Sequence, residues 1–218
     1  MKQKLFAFTM ALLCFTAISY SQVTVGIRAG VNLQNINGQD QRGDKLKNDL
    51  ALGFHAGADV EIAVADPFFF QLGVLYSTKG AKNIFGTSGD KVNLSYVEVP
   101  LHFVFKPELG AGRLILGLGP YLAYGIGGSA VLDGNDVDVE YTKNRTVGDV
   151  NFTLKPLDAG ADVFFGYEFP VPFYVQVNAQ LGLLDLMPKV NNDNSDAIIK
   201  NTGFGVSVGY RFGGGGKR

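Results

Sequence analysis

Residues 95–106, SYVEVPLHFVFK, alternate between two kinds of side chain. Val97, Val99, Leu101, Phe103 and Phe105 fall on one face of an extended chain, and Tyr96, Glu98, His102 and Lys106 on the other. A period of two marks a β-strand with one apolar and one polar face. The same division recurs along the chain. Val23, Val25, Ile27, Ala29, Val31 and Leu33 stand against Thr24, Gly26, Arg28, Gly30, Asn32 and Gln34. Phe204, Val206, Val208, Tyr210 and Phe212 stand against Gly205, Ser207, Gly209 and Arg211. What remains to decide is which face is outside.

Charge and glycine share one face, at Gly26, Gly30, Gly53, Gly57, Gly117, Gly119, Gly160 and Gly166. Such a surface suits a narrow, crowded interior. A lipocalin-type soluble barrel has the opposite pattern, apolar inside and charged outside. Apolar residues make up 46% of the chain, yet after residue 21 no apolar run is long enough for a membrane helix. Without helices, only a closed barrel satisfies every backbone group in lipid.

Eight strands are expected, at about 23–36, 50–65, 68–79, 92–106, 113–127, 152–169, 172–186 and 200–212. The connections Gln34 to Asn48, Gly80 to Lys91, Gly128 to Asn151 and Pro188 to Lys200 are long and polar. Those at Asp66-Pro67, 107–112 (PELGAG) and Pro170-Val171-Pro172 are short. Long loops outside and short periplasmic turns around an even strand number describe an all-β, eight-stranded antiparallel up-and-down transmembrane β-barrel. Phe68, Phe69, Phe70, Phe103, Phe105, Phe165, Tyr167, Phe169, Phe173, Tyr174, Tyr210 and Phe212 gather beside the short turns, as an interfacial aromatic girdle would.

The barrel is expected over residues 22–212. Before it, Lys2 and Lys4, the apolar run Leu5 to Ile18, and Ser19 and Ser21 read as a signal peptide, residues 1–21, cleaved before Gln22. The only cysteine, Cys14, lies inside that run, which leaves the mature chain no thiol or disulfide. Residues 213–218 form a Gly-rich tail. Without Lys2 and Lys4 the chain has 17 basic and 20 acidic residues, a net charge of −3, which argues against nucleic-acid binding. The expected location is the outer membrane, and the expected partners are its lipid bilayer and the machinery that inserts such barrels.

The two histidines, His55 and His102, both point inward. Counted along their strands they lie roughly 25–30 Å apart in height, too far to share a site. No catalytic group, cofactor or metal is expected. The acidic segments 133–140 (DGNDVDVE) and 191–196 (NNDNSD) lack calcium-loop spacing, Val137 standing where a ligand belongs, and read as solvated loops. Eight strands also leave too little interior for a pore. The inward charges Arg28, Asp59, Glu61, Glu98, Asp162, Glu168 and Arg211, together with His102, are expected to form an ion-paired plug, because unpaired charge is costly in a confined space. Counting from the periplasmic ends puts Arg28 level with Asp59 and Glu61, which predicts a pairing. Residue numbers summing to about 219 should face each other across 107–112. Pro100 and Pro120 should therefore meet there and break the ladder.

The runs SYVEVPLHFVFK, DAGADVFFGYEF (158–169) and GFGVSVGYRF (203–212) resemble the PorT-like outer-membrane β-barrel family over essentially all of residues 23–212. That family carries Tyr-x-Glu-x-Pro-Leu in its fourth strand and ends Gly-Tyr-Arg-Phe. The resemblance implies an eight-stranded barrel placed by the outer-membrane assembly machinery. In the name-giving branch it implies a part in protein secretion, with an envelope or secretion partner. It carries over no catalytic residue. One departure is GGGGKR after Phe212, where such barrels usually end at the aromatic. Three readings follow: a non-enzymatic barrel with a structural or surface-interaction role, a secretion or envelope-assembly component, and an enzyme with its site on the loops.

Overall fold

The computed structural model describes residues 23–40, 43–145, 152–190 and 197–212. The signal segment 1–21, the tail 213–218 and the acidic run 191–196 lie outside the described residues. Eight long strands make the frame: β1 Val23–Gln39, β2 Asp49–Ala65, β3 Phe68–Lys82, β4 Lys91–Phe105, β5 Gly112–Leu132, β6 Leu157–Glu168, β7 Phe173–Gly182 and β8 Ile198–Phe212. Each pairs antiparallel with its neighbours in the chain. The last returns to the first, from Val25↔Phe212 to Gln39↔Ile198. The sheet is a closed ring, so no strand edge is left for lipid to face.

The two faces resolve as the alternation demands. On β4, Tyr96 and His102 are fully buried, whereas Val97 and Phe103 are 38% and 49% exposed. The outward apolar residues form the belt that lipid covers. At its periplasmic edge the aromatics pair, with ring centroids 5.0 Å apart for Phe68 and Phe105, 5.2 Å for Tyr167 and Phe169, and 5.1 Å for Phe173 and Tyr210. These are ordinary separations for tilted and edge-on rings.

The extracellular side departs from the expected loops. Asp133 and Gly134 both take positive φ, and β5 turns there into a further strand, Asn135–Tyr141. Asp-Gly is a strong hairpin signal, and here it outweighs the polarity that reads as loop. Residues Phe152–Leu154, expected to begin the sixth barrel strand, instead pair in parallel with Val139–Tyr141. The barrel strand starts only at Leu157, after Pro156. The seventh strand ends at Gly182 rather than at 186.

Both prolines interrupt pairing as expected. Between Pro100↔Tyr121 and Phe103↔Leu118, Leu101 and His102 have no partner on β5, opposite Pro120. On the other side of β4, pairing skips from Leu72↔Leu101 to Leu75↔Glu98, at the level of Pro100. A proline has no N–H to give to the ladder. The register differs, however: Pro100 faces Tyr121, not Gly119. The chain reverses at Gly110-Ala111, inside the pair Leu109↔Gly112 and one residue beyond the centre of 107–112.

Candidate functional site: the polar lumen

The lumen is too narrow for two long side chains abreast, and glycine resolves the conflict. Gly26 stands between Asp59 on β2 and Arg211 on β8. Arg211 crosses the bare position, contacting Asp59 and lying 3.1 Å from Glu61. A Cβ on Gly26 would fall 2.9 Å from the guanidinium. Gly30 likewise stands between His55 and Ser207. The imidazole crosses it, with Nε2 2.7 Å from Ser207 Oγ and Nδ1 2.7 Å from Asn32 Oδ1. An amide oxygen only accepts, so Nδ1 carries the hydrogen and Nε2 accepts from the serine hydroxyl.

Around these rows the charges form two ion-paired layers. Near the periplasmic mouth, Lys106 Nζ lies 2.7 Å from Glu61 and 2.6 Å from Glu168. Asp59 also accepts from Gln71 at 2.7 Å and from Tyr174 at 3.4 Å. A continuous chain therefore runs Glu168, Lys106, Glu61, Arg211, Asp59. In the extracellular half, Lys79 Nζ sits 3.0 Å from Glu98 and 3.1 Å from Asp158, 4.2 Å over the Tyr121 ring. Asn201 donates to Asp158 at 2.9 Å and Gln180 to Glu98 at 2.8 Å. Above this layer the interior turns apolar: Ile36, Leu94 and Ile199 from the strand ends and Ile84, Leu154 and Leu186 from the connections make a cap.

Of the residues expected in the network, Asp59, Glu61, Glu98, Glu168 and Arg211 stand in ion pairs. His102 and Asp162 approach to 3.2 Å between Nε2 and Oδ2, but without hydrogen-bond alignment. Arg28 does not pair with Asp59 or Glu61. The ladder sets it opposite Gly57 and Gly209, one inward position too high, and Arg211 occupies both carboxylates. Among the described residues Arg28 has no ion pair or hydrogen-bond partner, although it is 5% exposed. It borders a small polar cavity of about 20 Å³ together with Asn32, His55, Gln176 and Asp162.

The two histidines are not as separate as the count along the strands implies. Asp162 lines the cavity that His55 lines and also stands beside His102. Tilted strands bring residues of unequal height face to face across a barrel. Lys79, Lys106 and Asp158 are the charges the network lacked. Each continues the inward alternation of its strand, Lys79 past Leu75 and Ser77, and that period was the available signal.

Ser207, His55 and Asn32 share the bonding order of a nucleophile relay, but not its access. Ser207 is 1% exposed, and a cavity of about 20 Å³ holds about one water, against several hundred Å³ for a small-molecule site. Among the described residues no cluster of His, Cys, Asp and Glu is arranged to hold a metal ion.

The family model for the outer membrane protein beta-barrel domain matches residues 16–187. The chain belongs to that family. As a member it is a protein of the cell outer membrane, its apolar belt in the lipid bilayer. Among solved structures, this outer membrane barrel is similar to OprG from Pseudomonas aeruginosa, at 13% identity over 88% of this chain and 96% of that one, TM-score 0.50. It is also similar to Neisserial surface protein A, at 12% identity over 86% and 97%, TM-score 0.47. Ail of Yersinia pestis matches at 14% identity over 88% and 99%, TM-score 0.43. The likeness to OprG speaks for the fold alone. No curated protein matches the sequence.

Proposed function

We propose that this outer-membrane barrel is non-enzymatic and acts through its extracellular surface, with the lumen as scaffold. One observation carries the reading: the interior is filled by ion-paired layers at both levels and covered by the apolar cap of Ile84, Leu154 and Leu186. Among the described residues the lumen keeps only a water-sized cavity of about 20 Å³, so interaction falls to what projects. The ribbon formed by the end of β5 and Asn135–Tyr141 lies on the extracellular side, with Asp136 and Asp138 exposed on it.

A second reading is a PorT-like component of a secretion or envelope-assembly apparatus. The resemblance of SYVEVPLHFVFK and GFGVSVGYRF suggests it, and one structural feature favours it: Leu109 and Val171, in adjacent periplasmic turns, are 53% and 56% exposed. Apolar turns at that end suit a periplasmic partner.

Photo-crosslinking in intact cells separates the two. A crosslinker at Asp136 is expected to capture an extracellular or neighbouring surface component, while one at Glu108 captures only lipid. A stoichiometric protein adduct from Glu108 favours the secretion reading. A steady conductance of the refolded barrel in planar bilayers overturns the sealed-lumen premise.

A further inference from the structure

Lys82 and Lys91 are direct cross-strand partners at the extracellular ends of β3 and β4. Both are exposed, and both share the outward side with Tyr76 and Val97. Like charges placed directly opposite on a sheet repel. Among the described residues neither lysine has an ion-pair partner.

Their acidic neighbours form no ion pair with them among the described residues, and only Asp49 stands directly opposite one of them, Lys82, offsetting part of the pair's charge. Asp49, opposite Lys82 on β2, accepts from the Asn83 side chain at 2.6 Å. Asn83 is fixed in left-handed conformation and in turn accepts from Gly89 N. Asp90 is 7% exposed and accepts from Asp133 N at 2.9 Å. Asp136 lies two strands from Lys91, across Val131. Unlike the lumen charges, this basic pair is left open on the wall that faces the membrane.

Its height is fixed by the column beneath it. The outward residues of β3 run Phe68, Phe70, Leu72, Val74 and Tyr76, and those of β4 run Phe103 to Val97. Tyr76 is 37% exposed, and its hydroxyl shares a hydrogen bond of 2.8 Å with Ser95. On β3 and β4 that pair of hydroxyls ends the apolar column, while on the neighbouring β2 exposed Leu52 and Leu50 carry it on to the level of Lys82, Leu50 standing opposite Ala81. Above Tyr76 the outward positions are Thr78 and Ser95, then Gly80 and Asn93, then Lys82 and Lys91. Three rows of tilted strand put the lysine Cα atoms roughly 15 Å above Tyr76. From there the lysine side chains can lean down along the wall toward the headgroup level.

We propose that Lys82 and Lys91 together bind a phosphate group of an anionic lipid headgroup in the outer leaflet. A phosphate between them converts a repulsive pair into two charge-assisted contacts. The oily wall directly below offers the acyl chains of the same molecule their bed. That continuity selects a lipid phosphate over a free one, which would have no use for the wall.

The test uses the refolded full-length barrel in zwitterionic detergent, with adducts counted by native mass spectrometry. The probe is bis-phosphorylated lipid A, against the same lipid after enzymatic removal of its phosphates. The intact barrel should retain the phosphorylated form preferentially. Lys82→Gln with Lys91→Gln should lower that retention by about fivefold for each lysine, the ordinary worth of a basic residue at an anionic membrane surface. Lys82→Arg with Lys91→Arg should keep it. Lys45→Gln with Lys47→Gln makes the same change of net charge on a loop and should leave it unchanged. Equal loss in the loop variant, or no loss in the Gln pair, overturns the site. Full displacement by millimolar inorganic phosphate overturns the lipid as its source.

Discussion

His55 and Ser207 belong to strands that do not touch, yet their side chains meet at 2.7 Å because Gly30 lies between them. A Cβ at Gly30 would fall 2.6 Å from the imidazole and 2.2 Å from the Val206 carbonyl oxygen. Gly30→Ala must therefore move both the ring and a strand. The expected loss is about 2 kcal/mol or more, from overpacking and a broken buried hydrogen bond. Gly127→Ala, with nothing within 4 Å of its added atom, should be near neutral. Reversible urea unfolding in lipid vesicles reads both.

The same closeness bears on catalysis. A row of hydroxyl, imidazole and amide invites a hydrolase reading, but no acyl group fits beside it. Ser207 in the folded barrel should not react with a fluorophosphonate probe under conditions that label a serine hydrolase in the same mixture. Labelling lost in Ser207→Ala would restore the enzymatic reading.

Arg211 and Arg28 are both buried cations, and they should behave differently. Arg211→Ala leaves Asp59, among the described residues, no ion-pair partner and the hydrogen bonds of Gln71 and Tyr174, and takes from Glu61 one of its two cations. Removing one member of a buried pair costs about 3–5 kcal/mol. Arg28→Ala breaks no ion pair among the described residues and should cost clearly less. A double-mutant cycle of Arg211→Ala with Asp59→Ala should show strong coupling, and one of Arg28→Ala with Asp59→Ala a smaller one, since Arg28 acts on Asp59 without direct contact.

The inside-out arrangement has its own comparison at adjacent positions. Val177 is 49% exposed on the lipid side, while Asn178 points inward and donates to Asp162 at 3.3 Å. Val177→Arg should cost about 2–4 kcal/mol, the range for arginine on the lipid face near mid-membrane. Asn178→Arg should cost less, because Asp162 is within reach as a partner. Unfolding of the two variants in vesicles checks the order, and a reversed order would contradict the membrane-facing assignment.

The sequence by itself determined the barrel, its strand number and which face is wet. Val97, Phe103, Tyr96 and Glu98 alternate with period two, and that period survives any register between strands. It also carried the prolines' effect, since a missing N–H is a property of the residue wherever it pairs. Most of the aromatic girdle was legible for a similar reason, because its members lie next to turns that Pro and Gly mark, although Phe69 and Tyr174, expected in it, fall on the inward side and pack in the lumen.

Only the tertiary structure decided who pairs with whom inside. A strand reveals that Arg28 and Arg211 point inward, but not which acid each meets. That depends on offsets between strands and on the tilt that carries residues across the barrel. Arg211 reaches Asp59 because closure of β8 on β1 brings the last strand beside Gly26, a neighbour 185 residues away in the chain. The extracellular cap was hidden for a related reason. Ile84 lies in a segment that reads as a polar loop, and Leu154 and Leu186 at the outer ends of expected barrel strands; they become a core only when these connections converge over one opening. Local pattern fixes the direction of a side chain, whereas its partner is fixed by the closure of the whole ring.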